Sequence, residues 1–170
     1  MRYSDCYRVA KILLPQLPGF ATNKKNEIFI TPIGHTLRGF LFESTAGSRE
    51  TFHFWWFFMP IGRPIEYVTL GNGGRLDIPG SRLDWRTDMP DLPEKLLAAM
   101  RPKALPLLQS IHSIQDTIEA IYERRGTTVP GLKLTRRVTD IHVEDDLACL
   151  QILDGKFDEA MTLLNMIIDH

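Results

Sequence analysis

The run Thr51-Phe-His-Phe-Trp-Trp-Phe-Phe-Met59 constrains this chain more than any other stretch. It is apolar at both alternating positions. Phe52, Phe54, Trp56 and Phe58 share one side of an extended strand, and Trp55, Phe57 and Met59 share the other. It is too short to cross a bilayer as a helix and is bounded by His53 and Pro60, so it reads as a central strand covered on both sides.

A chain of 170 residues with 44% apolar and 24% charged residues has the size and material for one packed domain spanning 1–170. The expected fold class is α+β. Residues 1–90 read as a helix plus an antiparallel sheet, and 91–170 as a helical part ending in a hairpin over 140–170. The formal net charge of -1 provides no large field of either sign, so neither nucleic acid nor a membrane is an expected partner. Charged residues interrupt Met1 to Leu17, which therefore lacks the apolar run of a signal peptide, and a cytoplasmic protein is expected. Cys6 and Cys149 lie far apart without CxxC spacing and are expected to remain thiols.

Tyr7, Val9, Ala10, Leu13, Leu14 and Leu17 recur at helical spacing after Ser4 or Asp5, either of which can cap a first helix, and Pro18-Gly19 ends it. Strands are expected over Glu27 to Pro32, Thr36 to Ser44 and Thr51 to Met59, joined as a meander. A fourth, Ile65 to Leu70, leads into Gly71-Asn-Gly-Gly74, read as a tight turn before a strand over Arg75 to Ile78. Pro79 to Pro93 reads as a loop. Helical periodicity resumes from Leu92 to about Met100 and from Ala104 to Arg125. An irregular stretch, Thr127 to Thr139, precedes a cap at Asp140 and two helices, Val143 to Leu153 and Phe157 to Ile168. Asp154-Gly-Lys156 joins them, its glycine permitting a left-handed helix end.

Leu147, Ala148, Gly155, Phe157, Ala160 and Leu164 resemble one tetratricopeptide helix pair. Glu144 replaces that family's aromatic residue, and no second copy precedes it, so the segment reads as one packing hairpin. Gly34 to Ser44, with Phe52 to Pro60 and Val68 to Leu76, resembles a family of bacterial proteins of unknown function. That resemblance implies a bacterial cytosolic setting and an α+β fold, and carries over no functional residues. Some such small proteins are similar to immunity proteins, which bind and neutralise a toxin.

The sequence offers little catalytic chemistry. No GxSxG elbow occurs, and Ser44 and Ser48 flank a hairpin loop. His142, Glu144, Asp145 and Asp146 point in different directions on a helix, and acids at a helix start suit its dipole, so no metal or other cofactor is expected. Gly71 to Gly74 lacks the Lys-Ser/Thr of a phosphate loop. The basic residues of Arg63 to Arg86 are diluted by Asp77, Asp84 and Asp88, which argues against nucleic-acid binding.

The reading therefore leans away from an enzyme and towards a protein-interaction module, immunity type included, with Arg38, Arg63, Arg75 and Trp85 as the expected contact surface. Trp55 and Trp56 read either as core or as contact residues. The alternative is a small-molecule-binding domain or an enzyme whose pocket is lined by Phe40, Phe42, His53, Phe54 and Trp56 between sheet and helices. Self-association into a homodimer, through a sheet edge or the C-terminal hairpin, is a third expectation.

Overall fold

The structure, a computed structural model, describes residues 1–46, 48–62, 70, 72–81, 83–124 and 141–168. The chain opens with α1 (Tyr3–Leu13), which tightens into a 3-10 turn at Leu14–Gln16. Its first turn has no side-chain cap; Arg2 stands at the N-cap, and its carbonyl accepts from the Asp5 and Cys6 amides. The strands β1 (Phe20–Thr22), β2 (Glu27–Ile30), β3 (Thr36–Ser44), β4 (Thr51–Pro60), β5 (Gly73–Leu76) and β6 (Trp85–Arg86) follow. The helices α2 (Leu92–Met100), α3 (Ala104–Ser110), α4 (Ile114–Arg124), α5 (Ile141–Leu153) and α6 (Phe157–Ile168) complete the fold.

All strand pairs are antiparallel, in the order β1-β2-β3-β4-β5, so the sheet is the expected meander in an α+β fold. β6 joins β4 along the same edge as β5, pairing Thr51 with Arg86 and Phe52 with Trp85. The short β1 and β6 carry too few residues for a period-two pattern and are additions to the expected strands. The expected strand over Ile65 to Leu70 falls largely outside the described residues, as do Thr127 to Thr139 and Asp140.

Register sorts the strand residues onto two faces. The inner face carries Ile28, Phe40, Phe42, Phe52, Phe54, Trp56 and Phe58, all at most 5% exposed. Their rings form a ladder from β1 to β6: Phe20 stacks on Phe40 at 6.0 Å, Phe40 on Phe54 at 5.5 Å, and Phe52 on Trp85 at 6.4 Å. Each fully buried ring contributes about 1.5–3 kcal/mol of transfer free energy. Apolar residues of α1 to α6 close over this face to form one core, including Leu13, Leu96, Leu108, Ile121, Leu147 and Leu163.

Two sequence expectations need correction. Gly73 and Gly74 are not turn residues but lie inside β5, opposite Phe57 and Trp56. A Cβ on Gly73 would overlap the Trp56 carbonyl oxygen, and one on Gly74 would lie 2.8 Å from the Trp56 indole nitrogen, so these glycines permit close pairing against bulky residues. Second, the helix expected over Ala104 to Arg125 is broken. Ile111 is extended, and Ser113 and Asp116 exchange reciprocal bonds, Asp116 N–H to Ser113 Oγ at 3.0 Å and Ser113 N–H to Asp116 Oδ2 at 2.9 Å. This capping box starts α4 afresh, and the hydrogen bond from the His112 N–H at 2.8 Å, with those from Ser113, holds the Asp116 carboxyl below the usual range.

The α5–α6 hairpin agrees with its turn chemistry. Gly155 adopts φ +77°, Gly155 N–H bonds the Ile152 carbonyl at 3.1 Å, and Lys156 N–H bonds that of Gln151 at 2.8 Å. Among the described residues no helix is long and apolar enough to cross a membrane. Burial pushes the Cys6 thiol up to about 11, which keeps it in the unreactive thiol form.

Candidate functional site

The sheet's outer face is built from the other half of each strand: Phe29 on β2, Leu37, Leu41 and Glu43 on β3, His53, Trp55, Phe57 and Met59 on β4, and Arg75 on β5. Phe57 and Met59 are buried, but Trp55, Phe29, Leu37 and Leu41 are only half-buried, and Glu43 is exposed. The expectation that β4 is covered on both faces therefore holds only near Phe57 and Met59. Towards Thr51 the outer face meets solvent.

At this open end the register brings charged groups together. Glu43 lies directly across from His53, and Trp55 directly across from Arg75. The Trp55 indole Nε1–H donates to Glu43 Oε2 at 2.8 Å, which fixes the ring, and His53 Nδ1 lies 3.4 Å from the same oxygen. The His53 ring meets Trp55 edge-on at 6.2 Å. The segment between β5 and β6 returns Asp84 to the sheet, 3.5 Å from His53 Nε2 and 2.7 Å from Arg75 Nη2. Asp77 approaches Arg75 Nε at 3.1 Å. Beyond His53, Arg86 lies between Glu50 at 3.1 Å and Asp88 at 2.8 Å.

Chemically, this is an aromatic platform set in a charged network. Both ring nitrogens of His53 face carboxylates. Among the described residues no group of three or more His, Cys, Asp or Glu side chains is arranged to hold a metal ion.

The residues singled out in the sequence are dispersed. Of the expected contact surface, Arg75 lies on the outer face, whereas Trp85 is fully buried. Its ring packs against Phe52 and Phe54, and its indole N–H donates to the Leu76 carbonyl at 2.6 Å. It is a core residue because β6 carries it onto the inner face. Arg38 is half-buried on that inner face, across from Phe58; desolvation lowers its pKa, and its buried Nη1 has no hydrogen-bond partner among the described residues. Arg63 lies outside the described residues.

The expected pocket also separates. Phe40, Phe42 and Phe54 are at most 2% exposed, with Phe54 stacked on Phe40 and tilted against Phe42, so they line core and not an opening to solvent. Trp56 is likewise core, with the Arg124 guanidinium 5.0 Å from its ring centre. His53 belongs to the opposite face from these four, as strand alternation requires. Trp55 and Glu43 were legible as outer-face residues from the same alternation; Asp84 was not, because only the tertiary fold brings its segment to His53.

Comparison with known proteins finds no matching family model, no similar curated protein and no similar solved structure.

Proposed function

We propose that this chain is a protein-interaction module that docks a partner on the open part of the outer sheet face, centred on Trp55. The observation that supports this reading is the unequal coverage of β4: on its outer face Phe57 and Met59 are buried, whereas Trp55, directly across from the half-buried Leu41, stays half-buried at the end that meets solvent. A tryptophan locked by its own hydrogen bond loses little freedom when a partner covers it, and tryptophan and arginine are enriched where binding energy concentrates. Arg75, tethered by two carboxylates beside Trp55, is the second contact.

The test compares tagged wild-type, Trp55→Ala and Leu83→Ala proteins in affinity purification from the native cells. Leu83 is 73% exposed, so its replacement is the surface control. Loss of a stoichiometric partner with Trp55→Ala alone is the expected result. Retention of every stoichiometric partner by Trp55→Ala would overturn the reading.

A further inference from the structure

The charge around Trp55 defines the chemistry of what can cover it. Lys and Arg together number 20 and Asp and Glu 21 in the whole chain, which is nearly balanced. The open end of the outer face is not: among the described residues that form its ion pairs, Glu43, Glu50, Asp77, Asp84 and Asp88 gather against Arg75, Arg86 and His53. These carboxylate side chains are 39–67% exposed, so they present their charge outward.

Resting on the docking reading above, we infer that the occupant of this face is a basic segment of a partner protein, with a lysine or arginine side chain over the Trp55 ring between Glu43 and Asp84. Three observations combine. The ring is held by its Nε1–H bond to Glu43, which leaves the indole face as a platform for a cation. The directly opposed Arg75 is drawn aside by Asp77 and Asp84. The half-buried Leu41, directly across from Trp55, adjoins the platform and can receive the aliphatic stem of a long basic side chain. A neutral, apolar partner would strip water from the surplus carboxylates without compensation, and an acidic one would add repulsion.

The experiment uses the full chain, with ¹⁵N in its three indoles, titrated with an octalysine peptide, a glutamate octapeptide and a Gly/Ser octapeptide. Trp56 and Trp85 are buried and serve as internal references. Octalysine should shift the Trp55 indole resonance while the references stay fixed, with affinity falling as salt rises. Glu43→Gln and Asp77→Asn should each weaken binding by roughly twofold to fivefold, the range of exposed charge pairs. An unmoved Trp55 indole, or an equal shift with the glutamate peptide, overturns the inference.

The purification above separates this inference from the reading on which it rests. If Trp55→Ala loses the native partner while Glu43→Gln, Asp77→Asn and 0.5 M salt all retain it, the docking face stands and the basic occupant fails. If Trp55→Ala retains the partner, the docking face itself fails.

Discussion

Phe54 and Trp55 are adjacent on β4, yet they occupy different chemical environments. Phe54 is fully buried, with aromatic rings from β3 and β6 against it, whereas Trp55 is half-buried and held by a carboxylate. One strand thus supplies a closed face and an open one. Aromatic content alone does not separate core from contact surface; the parity of the position and the elements that close over it do.

The largest expected effect that would sharpen this contrast is on the closed face. Phe54→Ala should cost about 3–5 kcal/mol in urea denaturation, because the rings around it cannot collapse into the space. Trp85→Ala should match it, since it removes a buried ring and leaves the Leu76 carbonyl without its indole donor. Trp55→Ala should cost less, about 1.5 kcal/mol in the same assay, because its ring is only half-buried. Equal losses for Phe54→Ala and Trp55→Ala would break the distinction between the faces.

A smaller effect tests the helices that close the inner face. Ser113→Ala should lower stability by about 1 kcal/mol through loss of the α4 cap, without altering the Trp55 indole resonance. The smallest expected effect lies on the outer face itself. Burial pushes the Glu27 carboxyl up, partly offset by Lys25, so ionisation of Glu27 opposes folding. Its unfolded-state value is the ordinary 4.5, so this penalty is absent below that pH and grows as pH rises through the raised folded value. Glu27→Gln should therefore be slightly more stable than wild type at pH 7, with the advantage disappearing below about pH 4.5 in denaturation midpoints.

Much of the architecture was legible in the sequence, for identifiable reasons. The alternation in Thr36 to Ser44 and Thr51 to Met59, the spacing in α1 and α2, and Gly155 between the last helices each express a local rule that the fold obeys. Gly73 and Gly74 misled because the turn rule concerns backbone freedom, whereas here the glycines make room for strand pairing. Ser113 and Asp116 carried a capping signal obscured by the continuous apolar period around them. The candidate site was half legible: parity separates His53 and Trp55 from Phe54, but the meeting of Glu43, His53, Arg75 and Asp84 depends on strand order and on the path between β5 and β6.

The position of β4 inside the sheet also bears on how this protein fails. Its aromatic run has the composition of a self-stacking, fibril-forming segment: strongly β-prone, uncharged apart from His53, and free of proline before Pro60. In the native state β3 pairs along one side of it, β5 and β6 pair along the other, and the outer strands are short. The segment is thereby withheld from other copies of the chain, as short sheet edges withhold many β-rich proteins from one another. Separation of β5 and β6 from that edge would expose a template for cross-β growth, so heat denaturation should end in precipitation, with the scan-rate dependence of an irreversible process.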